Sequence, residues 1–207
     1  MRHIKKHISP EELGEWTRRY KSTKGRLANY KDLENELELK KNIKEELISE
    51  QLGLCCYCCK SINYNNSHIE HFRPRDTFPK MSVDYTNLHA CCMSSGKSKR
   101  CGTKKENLFH ADLVSPLEEK CELLFEYNFN GNILPANGDQ RASFTIEQLG
   151  LDQYVLQEAR AAAIRTTGLA TPFFNEEEKK FWIDYFEKTK DGKLEQFCAA
   201  VLYCLKN

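Results

Sequence analysis

Apolar positions recur at helical spacing near both ends of the chain, alternate over one run in its second half, and lose any regular period between residues 54 and 112. The first helical stretch opens at Ser9-Pro10-Glu11-Glu12, a cap residue, a proline at the first helical position and acids at the positive dipole end. This predicts helix across residues 9–53. From Asp32 to Leu52, Leu33, Leu37, Ile43 and Leu47 fall on one face among Lys and Glu, and Gly53 supplies a stop. Leu123, Phe125, Tyr127 and Phe129 then alternate up to Asn130-Gly131, and Ile133-Leu134 follows, which predicts a β-hairpin. Beyond it, Thr145–Gly150 reads as a short helical turn and Asp152 as the cap of a helix to about Gly168, with Leu156 and Ile164 inward. Asn175-Glu176-Glu177-Glu178 opens another helix that carries Phe181, Trp182, Tyr185 and Phe186. Leu194, Phe197, Val201 and Leu205 form a last stripe. Such aromatic and aliphatic stripes are assigned to packing.

The expected class is α+β, divided into a helical segment (1–53), a small central module (54–114), and a hairpin with C-terminal helices (115–207). A hydrophobic fraction of 40% in 207 residues is enough for a core. The net charge of +1 says nothing about partners, but its distribution does. Residues 68–105 carry 8 Lys/Arg against 3 acids, residues 1–67 carry 13 against 10, and residues 106–207 carry 10 against 17. The basic excess is densest in the central stretch, as expected where a polyanion approaches. The basic opening Met1–Lys6 has no apolar run after it, and nothing approaches the 18 or so apolar residues of a membrane span. The expectation is a cytoplasmic protein, where ten clustered cysteines serve as metal ligands rather than as disulfides.

Those cysteines bracket the run His68-Ile69-Glu70-His71-Phe72-Arg73-Pro74. Cys55 and Cys58 have the spacing that lets two thiolates reach one tetrahedral Zn²⁺, and a second pair must come from Cys91 or Cys92 with Cys101. The preferred structural zinc set is Cys55, Cys58, Cys92 and Cys101. A zinc held by His68 and His71 with two cysteines is the alternative. With the cysteines assigned to zinc, Glu70 and His71 are left for chemistry: a carboxylate suits Mg²⁺ or another divalent cation, and a neutral imidazole suits water activation. Strand alternation would send these neighbours to opposite faces, so serving one site requires a backbone bend just there. Arg73 and Arg75 are placed to meet phosphates.

These pieces resemble the HNH endonuclease family, whose ββα-metal motif is often held by a four-cysteine zinc. The matching residues are Cys55-x-x-Cys58, Ile69-Glu70-His71-Phe72-x-Pro74, Asn87-Leu88-x-x-x-Cys92 and Cys101-x-x-x-Lys105. The retron- and Septu-associated branch of bacterial anti-phage defence is closer still. It is similar in the hairpin from Phe125 to Pro135 and in Thr145–Asp152. The resemblance implies a zinc-stabilised ββα module with helical extensions, His71 as general base, Glu70 as first ligand of the catalytic ion, and Asn87 as the residue that orients the base. It implies phosphate contacts from Arg73, Arg75, Lys104 and Lys105. Where many family members carry a metal-binding Asn or His after the last cysteine, this chain has Gly102. That leaves Glu106, His68 or Asn107 as the third ligand. The implied substrate is DNA, with RNA including tRNA as the alternative. The implied partner is an ATPase of the ABC/SMC-like type, with the acidic C-terminal helices as its docking surface. A non-catalytic zinc-bound adaptor is the rival from another class.

Overall fold

Helix forms at the N-terminus where the sequence signals it, but in three pieces. In the computed structural model, which describes all residues but 170, 172 and 173 and the side chain of Lys97, α1 spans Glu11–Lys24. Acids fill its first turn and lysines its last, both matching the helix dipole, and Gly25 ends it in the left-handed region at φ 66°. The helix expected from Asp32 onward is broken. Asp32 instead closes a reciprocal cap with Asn29 on the short α2 (Tyr30–Leu33), and α3 starts afresh at Leu37 and runs to Glu50. Arg26 and Tyr20 both bond the Asp32 carboxylate, and the Arg26 contact holds it well below the usual carboxylate range. Leu33 is then buried at the end of α2, whereas Leu37 is 74% exposed at the start of α3.

The central stretch forms a strand, a second strand and a short helix in that order. β1 (Ser67–His71) pairs antiparallel with β2 (Leu88–Cys92), with Glu70 opposite His89 and His71 opposite Leu88. β2 is buried throughout and packs against α3. α4 (Gly102–Lys105) follows. The N-terminal segment crosses this layer and is pinned there: Lys6 Nζ reaches Glu50 at 2.5 Å and the Leu88 carbonyl at 2.6 Å. Tyr85 OH also donates to Glu50, at 3.0 Å.

The predicted hairpin is present as β3 (Phe125–Tyr127) and β4 (Ile133–Pro135), with Tyr127 opposite Ile133. Phe125 and Tyr127 point into the core, but Leu123 and Phe129 lie outside the strand and are exposed. Four helices complete the chain: α5 (Gln140–Leu149), α6 (Tyr154–Arg165), α7 (Glu176–Glu187) and α8 (Cys198–Lys206). α5 is longer than the predicted turn because Asp139 caps it through the Ala142 amide. α6 starts after Gln153 rather than at Asp152, and α7 opens with the expected cap, a reciprocal Asn175–Glu178 pair. Gly131 joins hairpin to helices. Its φ is 74°, and a Cβ there would lie 2.6 Å from the Ala161 amide nitrogen of α6.

The result is a mixed α+β architecture with two separate two-stranded sheets among the described residues. One buried cluster draws on all parts of the chain, from Met1 and Ile4 through Leu47, Tyr57 and Leu88 to Val201 and Leu205. Among the described residues, no helix is long and apolar enough to cross a membrane.

Candidate active site

The turn after α3 folds back on itself, with the Cys55 amide bonded to the Lys60 carbonyl, and delivers its cysteines against the end of β2. Four sulfurs gather there, from Cys55, Cys91, Cys92 and Cys101, all within 4.8 Å of one another and all buried. Cys91, a spare in the sequence reading, is one of the four; Cys58 keeps sulfur contacts with Cys55, Cys92 and Cys101. The Gly102 amide bonds the Cys91 sulfur at 3.2 Å. Cys58 sits immediately beside the group, its sulfur 3.8 Å from that of Cys92, the same separation as between Cys55 and Cys91. Thiolates at about 2.3 Å around a tetrahedral zinc are spaced by about 3.8 Å, so the chemistry and the spacing of this donor set fit Zn²⁺. Crowding by the other thiols holds Cys101 well above its usual pKa. A divalent cation among the sulfurs would reverse that preference.

The same Gly102 links the cysteine cluster to a cleft of about 750 Å³, lined by both faces of β1 and by α3. No bend separates Glu70 from His71; both belong to the strand, and the chain turns only after them. They share the cleft because β1 is an edge strand whose two faces open onto it. His71 is edge-on to Tyr30, with ring centroids 4.5 Å apart, and its Nε2 lies 2.9 Å from the Ser82 carbonyl. A carbonyl only accepts, so Nε2 carries the proton and Nδ1 keeps the free lone pair. Burial pushes the imidazole pKa below its ordinary value, which keeps it neutral and basic at physiological pH.

Glu70 is set more tightly. Its Oε1 is 2.9 Å from Lys105 Nζ and accepts from Tyr57 OH at 3.3 Å, while Oε2 lies 3.5 Å from His68 Nε2. Burial alone would raise this carboxyl, but His68 and Lys105 together bring it below its ordinary value, so it is ionised. Gly102 is required beneath it: a Cβ there would fall 2.8 Å from Glu70 Cδ and 3.0 Å from His68 Nε2. The side chain missing at position 102 therefore makes room for the carboxylate and imidazole of β1.

Asn87 pins the loop after the strand, accepting from the Arg73 amide at 2.8 Å and donating to the Arg73 and Met81 carbonyls. The other residues singled out in the sequence divide. Arg75 lines the cleft, over the Tyr30 ring and 3.2 Å from Glu34. Arg73 lies against Phe78 and Phe109 instead. Lys105 is buried on Glu70 and the His71 carbonyl, and Lys104 docks α4 on α5 through the Glu147 carbonyl; neither is presented to the cleft. Of the three further metal-ligand candidates, His68 faces Glu70, Glu106 pairs with Lys99, and Asn107 bonds Asp76. His89 was not singled out. It stands opposite Glu70 in register, fully buried, with neither ring nitrogen hydrogen-bonded to a described residue, and burial holds it neutral. A histidine among apolar strand residues carries no sequence signal of that kind.

No family model matches the chain. Over 135 residues it is 29% identical to a protein of Vibrio cholerae serotype O1 biovar El Tor named "Retron Vc95 putative HNH endonuclease", covering 61% of this chain and 65% of that protein. Over 156 residues it is 28% identical to the Septu protein PtuB of Bacillus thuringiensis, covering 74% of this chain and 55% of the relative. The resemblance read in the sequence holds. The matched regions span about two thirds and about half of these relatives' lengths.

Proposed function

We propose that the chain is an HNH-type, divalent-metal-dependent endonuclease that cleaves DNA as the nuclease of an anti-phage defence system in the cytoplasm. The observation that carries this reading is the joint presence, in one cleft, of a neutral His71 with its lone pair on Nδ1 and an ionised Glu70. The β1-β2-α4 order beside a four-cysteine cluster supports a ββα-metal module within residues 54–114. The two defence-associated relatives support the biological setting.

His71 takes the proton from the attacking water through Nδ1, and the Ser82 carbonyl and Asn87-pinned loop keep the ring in that tautomer and pose. Glu70 Oε2 and His68 Nε2 are the donors that would hold the catalytic cation, which when bound supplies charge to offset the phosphate and leaving oxygen. Lys105 fixes the other carboxylate oxygen and, through the His71 carbonyl, the strand end itself. Arg75 is the charged residue placed to meet a phosphate. Structural zinc on Cys55, Cys91, Cys92 and Cys101, with Cys58 adjacent, ties α4 to the strands. The acidic α7 is the surface proposed to dock an ABC/SMC-like ATPase.

Incubation of the chain, alone and with such an ATPase, with plasmid DNA and with total tRNA in magnesium tests the substrate. Nicked or linearised plasmid is expected. Loss of tRNA with intact plasmid would replace DNA by RNA.

A further inference from the structure

The wall of the cleft opposite β1 has no role in the chemistry above. It is built from α3, which presents Lys40, Lys41 and Lys44 to the cavity. Lys40 and Lys44 are one helical turn apart and so share a face. Among the described residues none of the three makes an ion pair, although Arg75, which lines the same cleft, is paired with Glu34. The ammonium groups instead lie over aromatic rings, Lys40 over Tyr30 at 5.6 Å and Lys44 over Tyr64 at 4.3 Å. Burial and the neighbouring Lys40 push Lys44 below the usual lysine pKa. Glu34 and Glu38 line the same cleft, but neither pairs with these lysines, so the α3 wall offers three ammonium groups to an external polyanion.

Tyr64 adds a second, different element. It is 43% exposed at the mouth of the cleft, just ahead of β1. Its turn is made rigid by Asn63, whose side chain accepts from the Asn65 and Asn66 amides, and by Asn66 Oδ1, which accepts from the Asn63 amide. Lys44 Nζ donates to the Tyr64 carbonyl at 2.6 Å and anchors the turn to α3. An exposed aromatic ring held on a braced turn beside a row of cations is the arrangement by which proteins bind single strands: the cations follow the phosphates and a base stacks on the ring.

We infer that Lys40, Lys41, Lys44 and Tyr64 form a single-strand track leading to Glu70 and His71, with one base stacked on Tyr64. The inference rests on the nuclease reading and narrows its substrate to a locally unpaired strand. The test is fluorescence anisotropy of the full chain carrying His71→Ala, so that nothing is cut, with labelled oligo-dT, oligo-U and a duplex of equal length. The strand is expected to bind more tightly than the duplex. Tyr64→Ala is expected to weaken strand binding roughly 5- to 150-fold, with Tyr64→Phe close to the parent. Lys40→Ala and Lys44→Ala are each expected to lower the log–log salt slope by about 0.7. Tighter duplex binding, an unchanged affinity for Tyr64→Ala, or no binding of either strand would overturn the track. The oligo-dT and oligo-U arms separate DNA from RNA as the strand. Cleavage by the chain with intact His71 is scored separately, so the nuclease reading stands or falls on its own result.

Discussion

Lys105→Met is the most informative perturbation of the buried charges. The Lys105 and Glu70 side chains are 1% and 8% exposed and 2.9 Å apart, so the substitution leaves a carboxylate inside the protein without its main partner. Breaking a buried pair from one side costs about 3–5 kcal/mol. For a chain of this size each kcal/mol moves the melting temperature by about 2–4 °C, so a fall of roughly 6–20 °C is expected at pH 7.5. The pH dependence gives the cause. In the parent, the folded Glu70 pKa is depressed, so its contribution is present above the unfolded pKa and lost as pH falls through the folded one. Lys105→Met removes one of the two groups that lower the folded pKa and leaves only His68 against burial, so the Glu70 pKa moves up and the variant's loss relative to the parent grows as pH rises through the carboxylate range. Denaturant unfolding of both proteins at pH 7.5 and pH 4, in magnesium-free buffer, should show the gap narrowing with acid. Adding Glu70→Gln to Lys105→Met should recover much of the loss. A gap below about 1 kcal/mol at pH 7.5, or one that does not narrow, would refute this account of the pair.

Other consequences are as direct. Gly102→Ala should shift the Glu70 carboxylate and His68 ring, costing about 1–3 kcal/mol by overpacking and lowering cleavage at least tenfold; denaturation and plasmid nicking check it. The purified chain should carry about one zinc by elemental analysis, Cys101→Ser should lose it, and Cys204→Ser, outside the cluster, should keep it. With the His71 pKa held below 6.5 by burial, kcat/KM should rise through a midpoint below that value and be flat from pH 7 to 8. A midpoint above 6.5 would point to another base.

Periodicity carried the large elements, and local side-chain competition decided their ends. The Asn175–Glu178 cap and the Asn130-Gly131 hairpin were readable because each depends on neighbours in sequence. The break before Leu37 was not: Glu36, from which α3 starts, accepts a hydrogen bond from Trp16 of α1, twenty residues away. The site behaves likewise. Glu70, His71 and the clustering of cysteines were visible from their spacing, whereas the approach of Cys91 to that group appears only in the fold, where the Gly102 amide bonds its sulfur. Lys104 and Lys105 look alike in sequence, yet one docks a helix and the other lies on a carboxylate. The α3 lysines could not be placed beside the cleft until Tyr64 and α3 were seen to share one wall.

The central claim is that His71 acts on water in a cleft organised around Glu70. Plasmid cleavage by His71→Ala, with zinc content and melting temperature measured on the same preparation, tests it most directly. The expected result is a loss of at least 100-fold in rate, with zinc retained and folding intact. Full activity in a folded, zinc-loaded His71→Ala protein would contradict it.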